Sequence, residues 1–216
     1  MSRRITDSNA EQELALFLDR YLYPHLNTHT QFTYTRAKTR EEQLKGVDII
    51  ASNTRKSYYI DEKAQLYYIN KSLPTFAFEV DSIQKEVYRK GWLINDELIT
   101  DYYLLIWPYA VHSDLNRIKC YDFTKLECLM ILKSKVIDYL MDAEWDEQRL
   151  TSLSRKLSES KYVGKYEIDH PDFYMYKSDA KKYSEAPTNL VIYRKTLREL
   201  ADAEYIVTPS TFERIV

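Results

Sequence analysis

The chain has 216 residues, enough for one sizeable core, and its 44% hydrophobic share is that of a globular protein. Its formal net charge of −2 gives no general electrostatic pull on nucleic acid, so phosphate contact would need a local basic rim. The three glycines, Gly46, Gly91 and Gly164, stand far apart, which excludes a Gly-rich phosphate loop and with it the kinase, P-loop and dinucleotide-binding classes.

No apolar run approaches the roughly eighteen residues of a membrane helix, and the arginines at the N-terminus have no apolar segment behind them. Cys120 and Cys128 fit neither a zinc knuckle nor a redox pair and read as reduced thiols, so a cytoplasmic protein with no membrane contact is expected. Twenty tyrosines are more simply strand formers than base-stacking platforms.

A helix is predicted over residues 8–26. Ser8 or Asn9 can cap it, glutamates follow, and Leu14, Ala15, Leu18 and Leu22 make one stripe; Pro24 and His25 fall at or beyond its end. A strand at 31–36 and a charged loop at 36–45 come next. Two β-rich runs, 46–51 and 57–65, face each other across a polar turn and read as a hairpin. Further strand material is expected at 66–70 and 75–80, with a turn at Leu73-Pro74, and a helix at 82–90. The run 102–107 is apolar on both faces and reads as a central strand that Pro108 ends. Beyond it come a strand at 117–123, a strand or helix at 126–141 and an amphipathic helix at 146–160. An irregular Tyr-rich stretch at 162–184, a strand at 190–193 and a closing helix at 196–203 complete the chain. The expectation is a single α/β (α+β) domain, 1–216, with C-terminal elaborations.

Side chains two apart on a strand share a face, so Tyr59, Asp61, Lys63 and Gln65 point one way and Ile60, Glu62 and Ala64 the other. Asp48 stands among Val47, Ile49 and Ile50, again an acid where an apolar residue is expected. The hairpin can bring Asp48 near Asp61, and two close carboxylates repel unless a cation bridges them or one is protonated. Lys63 adds a positive charge beside the pair. Two carboxylates suit a hard divalent ion, and such an ion with a nearby lysine is what phosphodiester hydrolysis uses.

Here the sequence resembles the PD-(D/E)xK nuclease superfamily, through Gly46-Val47-Asp48-Ile49-Ile50 and, thirteen positions after Asp48, Asp61-Glu62-Lys63-Ala64-Gln65. The residue before Asp48 is valine rather than proline, and the x position is Glu62 where an apolar residue is usual, so Glu62 must find a polar partner or reach solvent. The resemblance implies a restriction-endonuclease-like core over residues 9–107, a central mixed β-sheet flanked by helices; residues 108–216 are an elaboration of unassigned role. It also implies Asp48 and Asp61 as Mg²⁺ ligands with the main-chain carbonyl of Glu62 as a third, Mn²⁺ as a substitute, and Lys63 as the catalytic lysine. A first-helix glutamate belongs to the pattern: Glu11 meets it with Leu14, Ala15 and Leu18, whereas Glu13 would put Arg20 at the last position. Gln65 closes the motif.

Other candidates have simpler readings. His25 and His29 are spaced as a zinc pair, but past Pro24 they read as a surface loop. Glu79 and Asp81 read as a strand end. Lys133, Lys135, Arg155, Lys156, Lys161 and Lys165 form a basic succession that could follow phosphates or simply be solvated. Trp92, Trp107 and Trp145 read as packing. The function expected from the resemblance is a Mg²⁺-dependent DNA endonuclease of a restriction, repair or mobile-element type, with RNA open as a substrate and a homodimer favoured for cutting both strands. The alternatives are a catalytically inactive nuclease-like fold that binds nucleic acid or protein, and an unrelated α/β domain with a structural ion pair.

Overall fold

The N-terminal apolar stripe forms helix α1 (Arg3–Tyr21) in the computed structural model, which describes residues 3–84, 87–179 and 186–215. The helix starts upstream of Ser8 and Asn9, so neither caps it. Pro24 does not follow the helix; it opens a second one, α2 (Tyr23–His29), since a residue with fixed φ and no N–H suits a first helical turn. His25 and His29 are therefore helical, not in a loop, and His25 stacks on Phe212 with ring centroids 4.8 Å apart. Strand β1 (Thr33–Arg36) follows. The supposed loop after it contains a short helix, α3 (Arg40–Leu44), because Thr39 and Glu42 cap each other's backbone.

The predicted hairpin is β2 (Ile49–Ser52) and β3 (Ser57–Ala64), paired antiparallel from Ile49–Ile60 to Ser52–Ser57. Residues 66–70 are not a strand: Leu66–Tyr68 is a 3₁₀ turn, and Asn70 takes φ 65°. Strands β4 (Thr75–Gln84) and β5 (Val87–Lys90) replace the helix expected at 82–90, whose residues 85 and 86 lie outside the described residues. Ser82 pairs with Arg89 and Ile83 with Tyr88, so a hairpin satisfies the backbone there. The apolar run forms β6 (Tyr102–Ala110), and Pro108 lies inside it. The strand expected at 117–123 is instead a turn with a 3₁₀ segment, Cys120–Asp122, whose Asp122 carboxylate accepts the Lys119 N–H.

The ambiguous run 126–141 holds both elements: β7 (Phe123–Leu132) passes directly into α4 (Lys133–Asp142). Asp146 caps α5 (Glu147–Glu159) by accepting the Arg149 N–H at 2.8 Å. Strands β8 (Gly164–Tyr166) and β9 (Phe173–Lys177) occupy part of the stretch expected to be irregular, whose residues 180–184 lie outside the described residues. Then come β10 (Thr188–Tyr193), α6 (Arg194–Leu200), β11 (Ala203–Val207) and β12 (Phe212–Arg214).

The chain forms two compact units. They do not divide at residue 107: residues 99–133 and 200–216 join the N-terminal segment in the first unit, while 74–98 and 134–199 make the second. The first unit carries a seven-stranded mixed sheet, ordered β1-β2-β3-β6-β7-β11-β12, in which only β3–β6 is parallel. One face buries Ile49, Ala51, Ile60, Leu104 and Ile106 against Leu14, Phe17, Leu18 and Leu22 of the α1 segment. The second unit carries a five-stranded antiparallel sheet, β5-β4-β10-β9-β8. In it Gly91 lies so close to β4 that a Cβ would sit 2.2 Å from the Glu79 carbonyl oxygen, which admits no other residue. Among the described residues, no helix is long and apolar enough to cross a membrane.

A proline in the fourth of seven strands needs a reason, since a central strand has partners on both sides. Ile106 accepts the Gln65 N–H on the β3 side, so Pro108, two residues on, presents its missing N–H to that same side. By then β3 has ended. The turn takes its place: Asn70 N–H bonds the Pro108 carbonyl at 3.1 Å, and the Asn70 amide meets both the N–H and the carbonyl of Ala110 at 2.9 Å. A strand at 66–70 would be redundant.

Candidate active site

The site begins where β2 and β3 meet. Asp48 directly precedes β2 and donates its N–H to the Ile60 carbonyl at 2.9 Å. Its Oδ2 accepts the N–H of Glu62 at 2.8 Å, so a side chain continues the ladder where the strand has not yet begun. Backbone N–H and C=O of one strand residue face the same edge, so the Glu62 carbonyl also faces the Asp48 edge.

Ile49 and Ile60 pair on the core face, and the next residue along each strand, Asp48 and Asp61, turns to the other. Asp61 is almost fully buried, its side chain 3% exposed, and its Oδ1 accepts from Lys63 Nζ at 2.6 Å. Its Oδ2 is buried with no hydrogen-bond partner. Burial pushes the Asp61 carboxyl up to about 7; the Lys63 ammonium pulls it down and the Asp48 carboxylate pushes it further up. Lys63 is 28% exposed and its pKa is raised: burial alone would lower it, but Asp61, Asp48 and Glu11 outweigh that.

Glu11 is exposed on α1, and its charge is felt at Lys63. Glu13 is engaged elsewhere, accepting from Lys119 Nζ and the Cys120 N–H, both at 2.9 Å. Gln65 lies one residue beyond β3 with φ −85° and ψ 59°, so it has left the strand's two-residue alternation. Its place on the Asp61–Lys63 face no longer follows from strand geometry.

The Glu62 side chain takes the opposite face. Its carboxylate, 11% exposed, accepts the Tyr23 hydroxyl and two guanidinium N–H groups of Arg36 at 2.9 and 3.0 Å. Arg36 also grips Asp19 of α1 at 2.7 Å and lies 5.8 Å from the Tyr23 ring. Burial raises the pKa of Glu62, with Arg36 opposing it. Of the two outcomes open to Glu62, a polar partner or solvent, the structure shows the first, and nothing local in sequence names Arg36 or Tyr23 as that partner.

Among the described residues, no group of three or more His, Cys, Asp or Glu side chains converges in the manner of a metal cage. The donors at the β2–β3 junction are instead two carboxylates and one main-chain carbonyl. That all-oxygen set fits Mg²⁺, which binds few protein ligands and keeps several waters, and the unsatisfied Asp61 Oδ2 is an atom such an ion would satisfy.

The remaining candidates lie elsewhere. Glu79 and Asp81 are within β4 rather than at a strand end, and Asp81 is buried in the second unit, accepting from Ser154 Oγ at 2.7 Å. The basic succession is spread over α4, α5, the turn that follows α5 and β8, and Lys165 pairs with Glu167 at 2.6 Å. Neither cysteine is in a disulfide, and both are buried. Trp107 is core, its indole N–H donating to the Leu73 carbonyl at 3.1 Å. Comparison with known proteins finds no family model, no curated protein and no solved structure that matches the chain.

Proposed function

We propose that the chain is a divalent-metal-dependent nuclease with a restriction-endonuclease-like core, hydrolysing phosphodiester bonds, and that DNA is its substrate. One observation carries the reading: a buried carboxyl, Asp61, shares its face with a second carboxylate and a lysine, and one of its oxygens is unsatisfied. Such an arrangement costs stability unless a cation or a proton occupies it, and groups poised in this way cluster at functional sites.

Asp48, Asp61 and the Glu62 carbonyl are the groups that would hold Mg²⁺ or Mn²⁺. When bound, the ion supplies Lewis acidity and an acidified water. Lys63 is kept charged by Asp61, Asp48 and Glu11, so at neutral pH it is a donor to phosphate oxygens and not a base. Asp61 orients it through their 2.6 Å hydrogen bond. The Glu62 side chain holds β3 in place from the far face through Arg36 and Tyr23.

The test is incubation of the purified chain with plasmid, single-stranded DNA and RNA, with Mg²⁺, with Mn²⁺ or with EDTA. Cleavage of DNA with either metal and none with EDTA is the expected result. No cleavage of any substrate removes catalysis. The 2.6 Å Lys63–Asp61 contact favours a second reading, a non-cleaving fold in which this pair is structural, the chain binding nucleic acid or protein. Magnesium calorimetry separates the two, because a structural pair binds no metal.

A further inference from the structure

The first sheet's core face, opposite the one that carries Asp61, opens into a cavity of about 260 Å³, the share of roughly nine waters in the liquid. Two alanines make the room. Ala51 stands directly between Tyr34 of β1 and Tyr58 of β3 in the sheet, and Ala203 of β11 is paired with Met130 of β7. A β-branched or aromatic side chain between two such rings would fill the face, whereas alanine leaves it open. Ile60 and Met130 complete an apolar floor.

Tyr34, Tyr58, Tyr102 and Tyr205 are the walls, and the first three are only partly buried. Tyr102 feels the charge of Tyr58 and Tyr34, and Tyr205 that of Tyr34, so the phenol groups lie close together. Burial pushes both Tyr102 and Tyr205 up to about 12, which keeps their hydroxyls protonated at neutral pH. Among the described residues, neither of these two hydroxyls has a hydrogen-bond partner.

Charge at the cavity is already balanced. Asp202 and Arg214 both line it, and Tyr205 feels the two with opposite sign. Asp202 also accepts the Leu132 N–H at 3.1 Å, and the Lys56 ammonium donates to the Tyr58 hydroxyl. An ionic ligand would give up its hydration here with no uncompensated partner to receive it. Aromatic walls, by contrast, offer faces and edges to another ring, and a phenol hydroxyl can donate to or accept from a neutral polar group. We propose that this cavity binds a small neutral aromatic molecule of one or two rings, its body on the alanine floor and its hydroxyl or N–H bonded to Tyr102 or Tyr205. The site does not rest on the nuclease reading, because it lies on the other face of the sheet and shares no residue with Asp48, Asp61 or Lys63.

The test is a fluorescence or NMR titration of the full chain at pH 7 with 2-naphthol, which is neutral there. Three controls have similar size: the saturated decahydro-2-naphthol, the anion 2-naphthoate and the cation 2-naphthylmethylammonium. Saturable binding of 2-naphthol is expected, with the saturated alcohol at least about threefold weaker, the scale of an aromatic pair. Both ions should be weaker by about tenfold or more, since each must be desolvated. Ala51→Ile puts a strand former on the floor, so it should abolish binding while the melting temperature stays at or above that of the parent. Tyr102→Phe together with Tyr205→Phe keeps both rings, removes both hydroxyls and should weaken 2-naphthol about three- to tenfold, the scale of one hydrogen bond. No saturable binding by the parent, a control that binds as tightly as 2-naphthol, or undiminished affinity in Ala51→Ile or in the double variant would overturn the proposal.

Discussion

At Asp61 three forces compete: burial, repulsion from Asp48 and attraction from Lys63. Burial prevails, and the carboxyl rises from the ordinary range near 4 to about 7. Between those values the folded chain keeps a proton that the unfolded chain has lost, so stability declines as pH rises across that interval. In EDTA, Asp61→Asn should therefore melt higher than the parent at pH 8, the gap closing toward pH 4; scanning calorimetry across pH reads this directly. A lower Tm for the variant at pH 8 would mean that Lys63 needs Asp61 as a structural partner. Added Mg²⁺ should raise the Tm of the parent at pH 8 and leave Asp61→Asn unmoved. Lys63→Ala addresses catalysis. It should slow cleavage by about two to four orders of magnitude, as loss of a transition-state donor does, with little change in DNA affinity measured in Ca²⁺. A modest affinity loss with no cleavage even in the parent would fit a binder.

Elements explain why a glutamate can stand between Asp61 and Lys63. Glu62 is held by α2 through Tyr23 and by β1 through Arg36, which in turn reaches α1 through Asp19. Removing it leaves a half-buried guanidinium and a buried phenol short of an acceptor. Glu62→Ala should cost about 2 kcal/mol in urea unfolding, less than a fully broken buried ion pair because Asp19 still holds Arg36. Glu62→Gln should cost less, and a Glu62→Ala chain as stable as the parent would show that the network contributes nothing. The turn after β3 is a second element-level device. Asn70 in the left-handed region replaces a strand's backbone groups opposite Ala110, so Asn70→Ala should cost about 1–2 kcal/mol.

At the scale of the whole molecule, the first unit is assembled from three separated stretches of chain, and β6 sits at the middle of its sheet. The proposed catalytic groups come from α1, the β2 junction and β3 of that unit, a single set per chain. One set cuts one strand at a time, so cutting a duplex through requires two chains or two encounters. Plasmid should first be nicked, and linear product should grow more steeply than in proportion to protein concentration. Strict proportionality with nicked product alone would identify a monomeric nickase.

Much of the candidate site was legible in sequence because it breaks local rules. Asp48 and Asp61 are acids in β-branched and aromatic runs, and alternation alone puts Asp61 and Lys63 on one face. Hairpin β2–β3, central strand β6 and helix α5 were equally readable, since periodicity and caps are properties of neighbouring residues. The features that escaped depend on residues distant in the chain. Pro108 continues a strand because β3 has already ended; residues 66–70 form a turn because Asn70 can bond β6 from there. Strand β11 is held by the edge of β7 and β12 in turn by β11, and Glu62 is tolerated because Arg36 and Tyr23 meet it. Sequence determined which residues are chemically out of place, through spacing and residue type. Only the tertiary structure decided which distant partners satisfy them, because hydrogen-bond and charge compensation are settled by proximity in space and not along the chain.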